Sequence, residues 1–511
     1  MAAGAVALAM AVPVGYLALR ALEGSDPVGQ VLTARAARLV WNTTRLALCV
    51  TVLAVVLGVG TAWLLERSDL PARRALGVVA VLPLVVPTYV GALALVAAFG
   101  PRGIAWEVPG LVSFWGLAAA LTLATYPYVL LTARGVLRST DPALEDSARS
   151  LGDGPWACFR RVTLPQLRPA ISAGGLLVCL YVLSDFGAVA IMRFDTLTRA
   201  IFLEYRGSFD RARPAVLGVV LVVLTVAVIA GEHRLRGRAA PARATAGVRP
   251  APVVELGPWR GVATVAVIGV CLAGVGVPVA VLAYWASTGP SGEAGSVVVR
   301  AAANSVQLSS AAAVVAAVAA LPVAVLAVRH RSRFSSAVES LAASGYALPG
   351  LVIALSLVFL TSRVTPTLYQ TFVVVVAAYV VRFLPEALGS VRSSLHQVDP
   401  ALEDVARSLG RTRLGAARTV TLPLVWAGVV AGAALVFLTA MKELPATLLL
   451  QPAGQDTLAT RVWAGASQGL YAQAAPAALV LVALSAALLW PLQQRRRHRR
   501  QPLDPAEVPA G

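Results

Sequence analysis

Residues Asp141–Gly152 read D-P-A-L-E-D-S-A-R-S-L-G, and residues Asp399–Gly410 read D-P-A-L-E-D-V-A-R-S-L-G. The copies stand 258 positions apart, and the same offset carries a second anchor, Val162-Thr163-Leu164-Pro165 and Val420-Thr421-Leu422-Pro423. Just upstream, Pro127 and Arg134 match Pro385 and Arg392. A polar block repeated with one substitution, each time between apolar segments, means that the chain is a duplication built around two polar islands.

The surrounding composition names the solvent. Of 511 residues, 58% are hydrophobic and only 13% charged, with a mean hydropathy of +0.75, where soluble domains carry about 25% charged residues. A membrane helix needs about 20 mainly apolar residues. Spans are therefore expected near 3–19, 46–65, 75–99, 110–133, 171–192 and 214–230, then near 262–286, 305–328, 340–361, 371–391, 426–449 and 474–492. The fold class is an all-α polytopic membrane protein of about twelve spans, six in each half. The first span lacks a basic segment ahead of its apolar core and has a counterpart at 262–286, so it reads as a retained helix rather than a signal peptide. Two six-span halves of the same orientation imply a pseudo-two-fold axis along the membrane normal, with a pathway at their interface.

The formal net charge of +18 sits mostly between apolar runs, as the positive-inside rule expects. With both termini inside, the cytoplasmic segments hold Arg67, Arg73 and Arg74, Arg138 through Arg168, Arg234 through Arg249, Arg329 through Arg333 and the tail Arg495–Arg500. Arg199, Arg206, Arg211 and Arg213 fall outside, yet the reversed orientation would expose the basic tail. Both islands then face the cytoplasm. No aqueous domain with clustered basic residues is visible, which argues against nucleic acid. Cys49, Cys158, Cys179 and Cys271 form no C-x-x-C pair and read as small hydrophobes. The halves are expected at 1–233 and 259–494, joined by a Pro-, Ala- and Arg-rich linker at 234–258 and followed by a basic tail at 495–511.

Each island predicts a short amphipathic helix. Leu144, Ala148 and Leu151 share a face, as do Leu402, Ala406 and Leu409. Glu145, Asp146 and Arg149 occupy the other faces, matched by Glu403, Asp404 and Arg407. Asp-Pro is a good helix start, and Gly152 and Gly410 are good stops. Such a helix can rest on lipid headgroups or enter a groove on a partner protein. Retention of both charges and glycine in both copies favours the groove.

The islands resemble the EAA loop of ABC importer permeases, with its glycine and downstream Leu-Pro. Asp146 and Asp404 replace the family's glutamate, Ala148 and Ala406 keep its second alanine, and the first is Ser147 or Val405. The resemblance implies a type I importer fold in which coupling loops 141–165 and 399–423 dock into two cytoplasmic ABC ATPase subunits. Glu145, Asp146, Ala148, Gly152 and Pro165, with Glu403, Asp404, Ala406, Gly410 and Pro423, would carry the coupling. It also implies an external substrate-binding protein and alternating access within the lipid bilayer. No cofactor is expected on this chain, and ATP and Mg would be used by the partner ATPase. The residues agree: a phosphate-binding loop needs a lysine, and the only lysine here is Lys442, in M-K-E-L-P.

Ionisable residues at membrane depth are functional by default. Asp185, in S-D-F-G, and Glu443, in K-E-L-P-A-T, match at the 258 offset inside the fifth spans and are candidates for the pathway, although Glu443 can also pair with Lys442 or an arginine to anchor a helix end. Asp195-Thr196-Leu197 matches Asp456-Thr457-Leu458 on the outer side, adding Asp195 and Asp456. Asn42 with Asn304, and Pro87 with Pro349, repeat at an offset of 262. These blocks resemble the fused two-domain subgroup that includes ferric-iron and thiamine permeases, and look most like the ferric-iron members. Acidic oxygen donors suit a hard trivalent ion, while Phe186, Phe194 and Tyr205 are available to a thiamine ring. An ion-coupled secondary transporter would have no reason to repeat a glycine-hinged helix. A membrane enzyme would need a catalytic cluster, and His233, His330, His396 and His498 are scattered.

Overall fold

A computed structural model describes residues 2–23, 29, 33–101, 103–139, 143–207, 212–236, 253–288, 295–330 and 332–498. Asp141, Pro142 and most of the expected linker and tail lie outside them. Among the described residues the elements are helical, apart from one isolated bridge between Ser68 and Val254. The first half comprises α1 Ala2–Leu22, α2 Ala34–Arg67, α3 Arg73–Val79, α4 Thr88–Phe99, α5 Phe114–Ser139, α6 Ala143–Ser150, α7 Leu164–Ser184, α8 Gly187–Ile191, α9 Leu197–Gly207 and α10 Ala212–Arg236. The second comprises α11 Trp259–Cys271, α12 Val277–Thr288, α13 Gly295–Arg329, α14 Arg333–Ala343, α15 Gly350–Arg363, α16 Phe372–Leu395, α17 Ala401–Ser408, α18 Leu422–Met441, α19 Pro445–Leu450, α20 Leu458–Ser467 and α21 Tyr471–His498.

Among the described residues ten helices are long and apolar enough to cross a bilayer, rather than twelve. The difference lies in the third span of each half. Residues 75–99 are divided into Arg73–Val85 and Thr88–Phe99, bent by 94°. Residues 340–361 divide at Pro349, leaving α15 with 14 residues. The cause is proline, which lacks an N–H and pushes its predecessor out of the helical region. Val86 has ψ 115 and Leu348 ψ 114. The repeat of Pro87 and Pro349 is thus the repeat of a break.

The fifth spans also end sooner than expected, at Ser184 and Met441 rather than 192 and 449, and short helices α8 and α19 follow. Asp185 and Glu443 therefore sit in helix breaks, not inside spans. The second spans are longer than expected. At 34 and 35 residues, α2 and α13 each run about 50 Å at 1.5 Å per residue, well past a hydrocarbon core of about 30 Å.

The same three helices form the heart of each half: α2, α5 and α7 in the first, α13, α16 and α18 in the second. Lipid offers no hydrophobic incentive for helices to associate, so they rely on close backbone approach at small residues. A Cβ on Gly58 of α2 would lie 2.8 Å from that of Val129, and one on Gly174 of α7 2.9 Å from the Val129 Cα. Gly428 and Gly432 make the corresponding small-residue face of α18, where a Cβ on Gly432 would lie 3.0 Å from the Ala387 Cα. Leu48, Val52 and Val56 on α2, and Val314 and Val318 on α13, stay exposed, as lipid-facing side chains should.

The halves also exchange their first helices. α1 packs on α10 and also on α13, α14 and α15, while α12 lies against α4 as well as α21. The Tyr16 hydroxyl donates to the Phe359 carbonyl at 3.4 Å, and the Ser356 hydroxyl donates to the Pro13 carbonyl.

Gly432→Leu forces α18 away from α16 and should lower the thermal midpoint of the detergent-solubilised protein by the equivalent of about 1–3 kcal/mol. Gly389→Leu on α16, where an added Cβ meets nothing within 4 Å, should leave it unchanged. Equal midpoints in fluorescence-detected size-exclusion melts would refute the close-packing assignment.

Candidate functional site

The islands fold as the spacing predicts and close in the same way. Gly152 has φ +94 and Gly410 φ +86, a left-handed conformation that side chains resist. Around each glycine the Gly152 N–H donates to the Arg149 carbonyl at 2.9 Å and the Asp153 N–H to that of Ala148 at 3.1 Å. In the second copy Gly410 donates to Arg407 at 3.0 Å and Arg411 to Ala406 at 3.1 Å. This is the double hydrogen bond of a Schellman cap. The cap turns the chain into a second short helix, which passes through a π-turn, Phe159–Thr163 or Ala417–Thr421, just ahead of Pro165 or Pro423.

The two glutamates point inward. The Glu145 carboxylate accepts the Thr163 hydroxyl at 3.1 Å and lies 3.4 Å from the Arg67 guanidinium, with both charged side chains at most 5% exposed. Glu403 accepts the Thr421 hydroxyl at 2.8 Å and Arg329 at 3.1 Å. Arg329 also donates to the Val398 carbonyl at 3.1 Å. Each glutamate thus ties three pieces together: the island helix, the threonine of the Leu-Pro anchor and the last turn of α2 or α13. Ala148 and Ala406 are buried alongside. Asp146 and Asp404 face solvent, the latter 3.3 Å from Arg407.

The expected apolar stripe is split by this arrangement. Its alanines turn inward, while Leu144, Leu151 and the following Trp156 stand 58%, 88% and 72% exposed. Leu402, Leu409 and Leu414 repeat the pattern at 46%, 80% and 62%. Apolar side chains are thus left exposed on turns that are anchored from within.

At the helix breaks, Asp185 accepts the Thr88 hydroxyl at 2.5 Å and the Ala188 N–H at 3.0 Å. Glu443 accepts the Ala446 N–H at 3.2 Å and pairs with Arg382 at 2.9 Å, not with adjacent Lys442. Both acids cap the short helix that follows them. Gly350 is small because a Cβ there would collide with the Arg382 guanidinium. Arg382 is also close enough to act electrostatically on Asp185 across the seam between halves.

Asp195 and Asp456 stand at the far end of the long helices. Asn42 and Arg67 are separated by about 37 Å along α2, so these blocks and the islands occupy opposite faces. The Asn42 amide donates to the Asp195 carbonyl at 3.0 Å, and Asn304 to that of Asp456 at 2.9 Å. Thr43 and Ser305 accept the N–H groups of Leu197 and Leu458 at 3.0 and 2.8 Å. The aspartate side chains turn to Arg199 and Arg461. The structure recruits the backbone of these blocks, whereas the sequence had pointed to their carboxylates.

Arg67, Arg329, Thr88 and Arg382 were not singled out from sequence. The first two repeat at the offset of 262 and had been counted only as topology charges. Thr88 and Arg382 have no such signal, because Gly350 and Ala124 replace them in the other half.

A family model described as binding-protein-dependent transport system inner membrane component matches the chain twice, over residues 54–231 and 300–494. The chain is 37% identical over 487 residues to the Fe(3+)-transport system permease protein FbpB 2 of Haemophilus influenzae, covering 94% of each. A probable molybdenum ABC transporter permease of Haloferax volcanii is 32% identical over 46% of this chain and 87% of its own length. The sulfate transport system permease CysW of Synechocystis is 32% identical over 37% of this chain and 71% of its own.

Glu145→Ala leaves Arg67 buried without its counter-charge, a loss of about 3–5 kcal/mol in such settings. Trypsin cleavage after Arg160 in membrane vesicles should then accelerate by at least about tenfold. An unchanged cleavage rate would mean that the carboxylate does not hold the island.

Proposed function

The chain belongs to the family of binding-protein-dependent transport system inner membrane components, and from that premise we propose that this multi-pass membrane permease serves an ATP-driven importer for ferric iron. The observation that carries the cargo is the alignment along 94% of both chains with a protein named as an Fe(3+)-transport permease. The relatives named for molybdenum and sulfate align with only 46% and 37% of this chain.

In this reading the islands face the cytoplasm, together with both termini, and each receives one ABC ATPase subunit. ATP and Mg are handled there, and a binding protein delivers cargo to the opposite face. The exposed leucines of each island enter a groove on the ATPase. Motion of the island is passed by Glu145 to Arg67 and by Glu403 to Arg329. Those arginines end rigid helices of 34 and 35 residues, whose far ends hold the blocks at Asp195 and Asp456. A pull on the islands therefore reaches the outer face through two levers, and the seam between halves opens alternately to either side. Asp185 and Glu443 stand at that seam, beside the route of a trivalent cation that prefers oxygen donors.

Cells lacking the gene should lose uptake of radiolabelled ferric iron and keep uptake of thiamine; the reverse result would overturn the cargo and keep the architecture. Replacing Gly152 and Gly410 together by valine should abolish uptake while the chain still inserts, because a residue with a Cβ resists the left-handed turn by roughly 1–2 kcal/mol. Normal uptake in that double variant would remove the coupling assignment.

A further inference from the structure

Lys442 follows the last turn of α18 in the second half, and its ammonium donates to the Leu84 carbonyl of the first half at 2.9 Å. The acceptor is available for a physical reason. Leu84 lies in the 3-10 turn Leu82–Val85, where a carbonyl looks to the N–H three residues on. That residue is Pro87, which has none, and the chain bends there by 94°. A carbonyl freed at membrane depth must find a donor within the protein, and it finds one in the other half.

Among the described residues the contact has no twin. At the offset of 258 the residue equivalent to Lys442 is Ser184, whose hydroxyl bonds locally to the Tyr181 carbonyl at 3.0 Å. On the second-half side Lys442 is flanked by Glu386, which interacts with it electrostatically and accepts the Thr439 hydroxyl at 2.9 Å. In the first half the positions of Glu386 and Thr439 hold Tyr128 and Tyr181, an aromatic pair 6.0 Å apart. One half thus carries a charged arm and the other a bare carbonyl, joined across the surface on which alternating access depends.

We propose that Lys442 is a one-sided latch: its bond to Leu84 holds the two halves in the present arrangement and must break for the pathway to reopen. This rests on the importer reading. Lys442 positions the halves and need not touch cargo. A charge-assisted hydrogen bond of this kind shifts a two-state equilibrium by about tenfold or more. Without it the complex should spend ATP with less regard for cargo delivery.

Because Lys442 is the only lysine in the chain, the latch can be read directly. In the reconstituted complex with its ATPase subunits and binding protein, amine-reactive labelling of the Lys442 peptide is quantified by mass spectrometry with and without ATP and vanadate. Labelling should rise about tenfold in the trapped state. In parallel, Lys442→Met should raise the ATPase rate measured without binding protein and flatten its stimulation, while Lys442→Arg, which keeps a cationic donor, should retain most of that stimulation. Wild-type uptake with labelling that is equal in both states would overturn the latch alone. Wild-type complex without any ATP-dependent uptake would remove the importer reading, and the latch with it. Should Lys442→Met fail to assemble, the labelling of the unmodified protein decides the question.

Discussion

A backbone carbonyl or amide freed inside a bilayer has no water to bond. This chain frees several, because Pro87 and Pro349 break its third spans and the fifth spans stop at Ser184 and Met441. Side chains meet the breaks at Pro87, Ser184 and Met441. Asp185 and Glu443 accept amides at the starts of α8 and α19, Thr88 reaches across to Asp185, and Lys442 reaches the Leu84 carbonyl. The polar residues that look costly at membrane depth are there because broken helices need them, and broken helices place short segments where the halves meet.

The same economy governs the islands. A helix of eight residues is too short to hold its own shape in water, so Glu145 and Glu403 bind it to the neighbouring anchor and to a long transmembrane helix. That internal anchoring lets Leu151 and Leu409 remain exposed without collapsing onto the chain. The islands thus combine internal anchoring with an exposed apolar surface.

Duplication makes the halves equivalent at their ends and unequal at their centre. The island caps, the arginine tethers and the asparagine contacts at Asp195 and Asp456 recur pair by pair. At the seam, Thr88 with Asp185 answers Arg382 with Glu443, and Tyr128 with Tyr181 answers Glu386 with Thr439. Two closely similar islands at the periphery thus flank a single, asymmetric seam between the halves.

Hydropathy and the repeat determined the class of protein, the two-half organisation and the island helices with their glycine stops, because apolar length and left-handed turns are local properties. Repetition also pointed to Pro87, Asn42 and the D-T-L blocks, yet not to their work. Tertiary structure alone decided that Glu145 and Glu403 face inward, that Asp185 and Glu443 lie in breaks, and that Asp195 contributes its carbonyl. It also decided that Lys442 crosses to the other half. These depend on which other segment supplies the missing hydrogen-bond partner, and a partner tens to hundreds of residues away leaves no periodicity in the sequence to be read.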